Sequence, residues 1–356
     1  MKIIVYPDAS EGIEEMLAGR RRESLEKLGE LKIFYDAPLD HQEFLRRVDG
    51  ANALLVGWAL PVEVMVQTQT LEILSFTGIG ASNFIDLPAA AAQGITVCNC
   101  PGYADNTVAE HTLALLLAAA RHLPQLDAEL RNGHWNQSLD GMELRGKQLG
   151  IIGFGGIGRR VFELARAFGM TVKVWTRNPS EARAREHGVE FVSLDNLLQT
   201  SDVISLHVAL TDDTKGLIDA GRIKQLKPGS ILINTARGEI VDESALVDAL
   251  KERHLKAAGL DVYQQDPLPV EHPLLKLDNV VLSPHVAYNT PEASDAIYEI
   301  AVENIINFYE GTPINVVASP SQEYSTGSVE ILSNAAGCTL SAWLRASTRG
   351  NQGYIT

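Results

Sequence analysis

Cysteine is scarce. There are three, Cys98, Cys100 and Cys338, in 356 residues, which is too few for the disulfide framework of a small secreted fold. Cys98-x-Cys100 has no second ligand pair, so no metal site is implied and two small buried strand residues is the plainer reading. Positive charge is short as well. Thirty Lys and Arg face 45 Asp and Glu, a formal net charge of −15, which argues against a nucleic-acid or anionic-membrane partner. No apolar stretch is long enough to cross a bilayer; the longest helix-like one is Leu113–Ala120. The opening MKIIVYPD enters a strand pattern directly, without the apolar region of a signal peptide. A cytoplasmic protein is expected. Internal repeats and extended charge runs are missing too.

What is present reads as ordinary globular protein, 45% hydrophobic and 21% charged, with a length that suggests two domains. Short apolar runs at 2–6, 31–35, 53–58, 71–76 and 95–99 alternate with helical patterns at Glu11–Gly29, His41–Val48, Val62–Thr68 and Leu87–Gln93. That alternation predicts an α/β fold with a parallel sheet covered by helices. A second array of strands starts at Gln148, with runs at 149–153, 171–175, 191–194, 203–208, 230–235, 257–262 and 280–284. Between the arrays, Asn106–His122 predicts a helix apolar nearly all round, wholly buried or at a subunit interface. The interface is preferred, because burial in one domain needs cover on every side. Gly133–Leu144 reads as a polar loop or arm. Pro291–Tyr309 predicts a long amphipathic helix that returns the chain to the first domain.

The expected organisation is therefore two doubly wound parallel-sheet domains. One is discontinuous and flavodoxin-like, residues 1–100 with 289–317. The other, 101–288, is a Rossmann dinucleotide-binding domain, with crossings at Cys98–Pro101 and Pro284–Tyr288. Residues 318–356 are rich in Ser, Thr, Gly and Asn and predict a poorly ordered or loosely docked tail.

The chemistry begins at Gln148–Gly158, QLGIIGFGGIG. An apolar strand ends in Gly153-x-Gly155-x-x-Gly158 and a helical pattern follows. The first glycine permits the tight turn, the second lets a pyrophosphate approach the backbone, and the third lets helix and strand pack closely. A bare GxGxxG occurs by chance; one between a buried strand and a helix is much more specific.

Three more stretches lie at or just past predicted strand ends, where ligands bind in such sheets. They are Asn234–Gly238, Gly259–Pro267 and Ser283–Ala287. Arg237 can grip a carboxylate or polarise the adjacent carbonyl. His285 can act as general acid or base on a carbinol oxygen. Asp266 can accept from the other imidazole nitrogen, fixing the tautomer and raising the pKa. Asp261 can hold a nicotinamide carboxamide. Each residue alone reads more simply as a surface charge, a strand cap or a turn. Together, behind strands of one array, they point to hydride chemistry. The remaining histidines read as structural, with His207 a candidate to line the cofactor cleft.

The sequence closely resembles the D-isomer-specific 2-hydroxyacid dehydrogenases from about Lys2 to Val317. The resemblance rests on GIGASNFIDL (78–87), NTVAEHTLALLL (106–117), LGIIGFGGIGRRV (149–161), SLHVALTDDTKGLI (205–218), INTARGEIVDESAL (233–246), AGLDVYQQDPLP (258–269) and LSPHVAY (282–288). It implies two lobes with a cleft, a homodimer formed largely through Asn106–His122, and catalytic roles for Arg237, Asp266 and His285. It also implies that Gly156 and Ile157 give amides to the pyrophosphate and that Thr235, Ala236, Arg237 and Asp261 line the nicotinamide. The Gly78–Asn83 loop, with Gly78, Ile79 and Gly80, would present backbone N–H groups to a substrate carboxylate. The implied activity is interconversion of a small D-2-hydroxy acid and its 2-keto acid by NAD or NADP.

Three departures from the family pattern matter. Asp266 stands where Glu is usual, one methylene shorter, so its contact with His285 needs a small backbone shift. The loop after Gly80 reads one residue longer. The acid expected after the second Rossmann strand is missing; Trp175-Thr-Arg-Asn178 stands there. Thr176 and Arg177 would accept a 2′-phosphate, so NADP is favoured over NAD. The rival readings are a phosphite or other small-oxyanion dehydrogenase on the same fold, and a nucleotide-sensing protein like the corepressors that share it. The retained Arg237, Asp266 and His285 argue against the second. A regulatory C-terminal domain is not expected, because the tail reads as short and polar.

Overall fold

The computed structural model describes residues 1–9 and 12–320. They fall into two compact units, residues 1–103 with the described residues from Pro291 onward, and 104–290.

In the first unit the strands are β1 (Lys2–Tyr6), β2 (Gly29–Ile33), β3 (Ala53–Val56), β4 (Ile73–Phe76) and β5 (Thr96–Cys98). β3, β4 and β5 are buried along their whole length, as continuous apolar runs must be in a parallel sheet covered on both faces. Gly19, at φ +65°, breaks the expected helix over 11–29 into Ile13–Leu17 and Arg20–Leu28.

The second unit holds β6 (Gln148–Ile152), β7 (Thr171–Trp175), β8 (Glu190–Phe191), β9 (Val203–Leu206), β10 (Ser230–Asn234), β11 (Leu255–Leu260) and β12 (Val280–Leu282). They form one parallel sheet in the order β8-β7-β6-β9-β10-β11-β12. The order reverses between β6 and β9, the place where a doubly wound sheet opens a crevice at its carboxyl edge. Apolar cores cover both faces: Ile152, Ile204 and Leu232 point to one, Ile151, Val203 and Ile231 to the other.

The chain then returns through the helix Pro291–Tyr309 to β13 (Val316–Ala318), which pairs antiparallel with β5. The first sheet therefore runs β2-β1-β3-β4-β5-β13, the flavodoxin order with one added edge strand. β13 corrects the sequence reading, which begins the polar tail at Ala318: that residue is fully buried as the last of the sheet. Residues 321–356 of the expected tail lie outside the described residues.

The helix expected over Asn106–His122 is Asp105–Ala120, followed after His122 by Leu123–Arg131. It lies against β10, β11, β12 and the helix Gly156–Ala167 within its own unit. Val108, Leu113, Leu115 and Leu116 are buried there, and Asn106, Glu110 and Ala114 take the exposed stripe. Its apolar surface is thus covered inside the unit, contrary to the reasoning that made it an interface element. Residues 133–144 carry neither helix nor strand. Among the described residues, no helix is long and apolar enough to cross a membrane.

Asp8, just past β1, is buried and accepts from the Gly57 and Trp58 amides at 3.3 and 3.2 Å. Burial pushes its carboxyl from 3.8 up to about 6, against the pull of those two amides and of Arg47. The folded value lies above the ordinary one, so protonation favours the folded state. That stabilisation is fully present below about pH 4 and is lost as the pH rises through about 6. Its size is roughly 2 kcal/mol between about pH 4.5 and 7.5. Urea unfolding of the parent and of Asp8→Asn should show the parent losing that much relative to the variant over this range. A constant difference between the two would refute the assignment.

Candidate active site

β6 leads into a turn that needs glycine at positions 153, 156 and 158. Gly153 sits at φ +101°, and a Cβ there would fall 2.3 Å from the His207 carbonyl oxygen. A Cβ on Gly158 would fall 2.3 Å from the Gly153 carbonyl oxygen, and one on Gly156 would meet the Asp105 carboxylate. At Gly155 a Cβ would meet nothing within 4 Å. The helix Gly156–Ala167 starts here with no capping side chain, so its first amides, those of Gly156 and Ile157 among them, face this open space. A backbone cradle at a helix N-terminus, walled elsewhere by close contacts, fits a pyrophosphate. The ring of His207 bonds Ser205 Oγ at 2.7 Å, and burial pushes its pKa down to about 3, so it sits neutral beside this turn.

Thr176 and Arg177 follow β7. Arg177 is exposed and pairs with Asp213 at 3.0 Å, with Thr211 Oγ1 at 3.5 Å from its guanidinium. The reading of Arg177 from sequence did not foresee this carboxylate. The pair is solvent-exposed on both sides, so it holds the guanidinium only loosely.

Past β10 the buried Asn234 shapes the next loop. Its Oδ1 accepts from the Ala236 amide at 3.0 Å and its Nδ2 donates to the Arg237 carbonyl at 2.9 Å. Gly238 packs so tightly on Tyr263 and Gln264 that a Cβ would overlap their backbone. Thr235 Oγ1 bonds Thr112 Oγ1 at 2.9 Å. The half-buried Arg237 donates to the Ala236 carbonyl at 2.7 Å and makes no ion pair among the described residues. A guanidinium without a carboxylate partner keeps its fork for an anionic ligand.

Asp261, just past β11, is completely buried. Its Oδ1 accepts from Ser283 Oγ at 2.6 Å and from the Val286 amide at 3.0 Å, and its Oδ2 from the Ala287 amide at 2.8 Å. The Asp261 carbonyl accepts from the His285 amide at 2.8 Å. So this carboxylate buckles down the loop after β12, a role the sequence reading missed. His111, read as structural, reaches Ser283 Oγ at 2.9 Å.

Within that loop His285 adopts φ +54°, uncommon for a residue with a side chain. Its Nδ1 lies 2.9 Å from Asp266 Oδ2. Asp266 spans the gap despite its missing methylene. Arg237, Asp266 and His285 thus leave the carboxyl ends of three consecutive strands, β10, β11 and β12. At about 4.8 Å per strand, the outer two loops start roughly 10 Å apart.

In the first unit, the Gly78 amide is already bonded to the Phe76 carbonyl at 2.9 Å, and the Gly78 carbonyl accepts from Cys100. This corrects the expectation that all three amides of Gly78, Ile79 and Gly80 are offered to a ligand. Those of Ile79 and Gly80 donate to no acceptor among the described residues.

Comparison with known proteins places these features among relatives. The family profile "D-isomer specific 2-hydroxyacid dehydrogenase, NAD binding domain" matches residues 113–287. A D-3-phosphoglycerate dehydrogenase of Archaeoglobus fulgidus is 41% identical over 329 residues, 91% of this chain; the chain spans 60% of that relative's length. A glyoxylate reductase of Korarchaeum cryptofilum is 39% identical over 302 residues, 82% of this chain and 91% of the relative. The D-lactate dehydrogenase of Aquifex aeolicus, solved with NAD and lactic acid, superposes with a TM-score of 0.77 at 31% identity, covering 90% of this chain and 100% of that one.

Proposed function

The chain belongs to the D-isomer-specific 2-hydroxyacid dehydrogenase family, and from that premise we propose that it interconverts a small D-2-hydroxy acid and its 2-keto acid with a nicotinamide cofactor. The observation that carries the reading is the His285–Asp266 contact, with Arg237, which has no carboxylate partner among the described residues, on the loop of the next strand but one. Nδ1–H donates to Asp266, which leaves Nε2 as the nitrogen that faces a substrate oxygen. His285 then protonates the keto oxygen in reduction and takes the carbinol proton in oxidation. Arg237 binds the substrate carboxylate and polarises the neighbouring carbonyl. The Ile79 and Gly80 amides, in the first unit, keep the part of carboxylate donors that the family resemblance implies. The nicotinamide, when bound, supplies or accepts the hydride.

The open backbone at Gly155, with the amides of Gly156 and Ile157, would hold the pyrophosphate between Gly153 and Gly158. Thr235 and Ala236 line the nicotinamide. Asp261, expected from the sequence at the carboxamide, is fully buried, and its oxygens accept from Ser283, Val286 and Ala287, so it shapes the loop after β12. Thr176 and Arg177 favour NADPH, since a dianionic 2′-phosphate outcompetes the exposed Asp213 for the guanidinium. Support for a homodimer comes from Leu123, Leu130 and Trp135, exposed after the helix Asp105–Ala120. The cytoplasm is proposed on the absence of a disulfide framework.

A panel of glyoxylate, hydroxypyruvate, pyruvate and phenylpyruvate, assayed with NADPH and with NADH, tests the whole. Reduction of at least one acid is expected, with higher kcat/KM for NADPH. Arg177→Ser should lower the NADPH value by roughly tenfold or more, as the loss of a charged hydrogen bond does, and leave NADH unaffected. A parent enzyme that prefers NADH would refute the Arg177 assignment. One that reduces no keto acid would refute the activity.

A further inference from the structure

His111 and Thr112 stand side by side on the helix Asp105–Ala120, and each touches one of the loops that carry the reacting side chains. Thr112 Oγ1 donates to the Val108 carbonyl at 2.7 Å and so accepts from Thr235, on the loop of Arg237. His111 reaches Ser283, on the loop of His285. The direction of this second link follows from hydrogen-bond capacity. The ionised Asp261 can only accept, so the Ser283 hydroxyl must donate to it across 2.6 Å. Having spent its one proton, Ser283 Oγ can only accept from His111, which therefore carries its proton on Nε2.

The chain His111 Nε2–H, Ser283 O–H, Asp261 carboxylate runs inward to a fully buried charge. Such a charge is tolerable only if its oxygens are occupied. It is the same charge that pins the Val286 and Ala287 amides, the two that directly follow the left-handed His285 backbone. The Ser283 carbonyl is fixed as well, by the Tyr263 hydroxyl at 2.9 Å. Ser283 is thus the hinge pin of the loop, and the imidazole of His111 sets the rotation of its hydroxyl.

We propose that His111 is a positioning residue for the reaction: through Ser283 it orients Asp261 and the 283–287 loop so that His285 meets its substrate. This rests on the dehydrogenase reading above. Removing His111 leaves the Ser283 oxygen without a donor and frees its hydroxyl to rotate off Asp261. Binding of cofactor and keto acid uses other groups, so kcat should fall and KM should not.

The experiment measures steady-state reduction of the best keto acid of the panel by parent, His111→Phe, His111→Gln and Ser283→Ala, with NAD(P)H binding followed by fluorescence. Losing a hydrogen bond in a chain that ends on a charged group typically costs about ten- to a hundredfold. His111→Phe and Ser283→Ala should therefore lower kcat by about tenfold or more, with KM and cofactor Kd within about threefold of the parent. His111→Gln offers an amide N–H at a comparable reach and should recover kcat to within about threefold. Should His111→Phe unfold, the Ser283→Ala and His111→Gln pair decides alone. The inference is overturned if Ser283→Ala or His111→Phe keeps the parental kcat, if KM rises while kcat holds, or if glutamine is as impaired as phenylalanine. An inactive parent would instead refute the dehydrogenase reading.

Discussion

Alanine at position 285 is expected to lower kcat for keto-acid reduction by roughly 10² to 10⁴, the range over which positioned proton donors contribute. Cofactor affinity should stay within about twofold, because the cradle at Gly155 lies on β6 and the histidine on β12, at different strands of the sheet. The variant removes only the imidazole. The loop that carried it remains tied to Asp261 through Ser283, Val286 and Ala287, so the site should keep its shape. Asp266→Ala should do less harm, on the order of ten- to a hundredfold, since the ring loses a hydrogen bond to a charged acceptor but not its proton. This ranking separates chemistry from scaffolding: a scaffold residue would shift thermal stability along with rate. Stopped-flow reduction with pre-bound NADPH reads the step directly, and His285→Ala turning over at the parental rate would end the acid/base assignment.

What the sequence made legible was residue type at strand ends. A strand-turn-helix glycine pattern and three short polar stretches after apolar runs are local signals, and each is found where its run ends. What stayed hidden was pairing across the chain. His111 meets Ser283 over a separation of 172 residues, and nothing in the helix pattern of NTVAEHTL marks one imidazole as belonging to a distant loop. Arg177 looked free because Asp213 lies in another loop. Asp261 looked like a ligand because an acid after a strand does; only the fold shows three donors converging on it. β13 escaped because three residues carry no periodicity that can be read. The cover of the helix Asp105–Ala120 stayed hidden for a different reason. Hydrophobicity on every side says that cover is needed, not who provides it, and here β10, β11, β12 and a neighbouring helix do.

Alanine at Gly155 and alanine at Gly158 should fail in opposite ways. At Gly158 the added methyl lands 2.3 Å from the Gly153 carbonyl oxygen, a backbone atom that itself sits in a turn with φ +101°. Neither partner can step aside, so a loss of about 1–3 kcal/mol or more is expected, as for other overpacked sites. It should show as a lower urea midpoint with or without cofactor. At Gly155 the backbone is at φ −84°, open to any residue, and nothing lies within 4 Å of the added carbon. Stability without cofactor should hold within about 0.5 kcal/mol, as at other uncrowded surface positions. NADPH binding should instead weaken by roughly tenfold or more, because the methyl enters the space through which a pyrophosphate reaches the helix amides. The empty side of the turn would then be shown to be shaped by its ligand and the crowded side by the protein. Gly155→Ala binding NADPH as tightly as the parent would place the cofactor elsewhere and remove the basis for putting a nicotinamide beside His285.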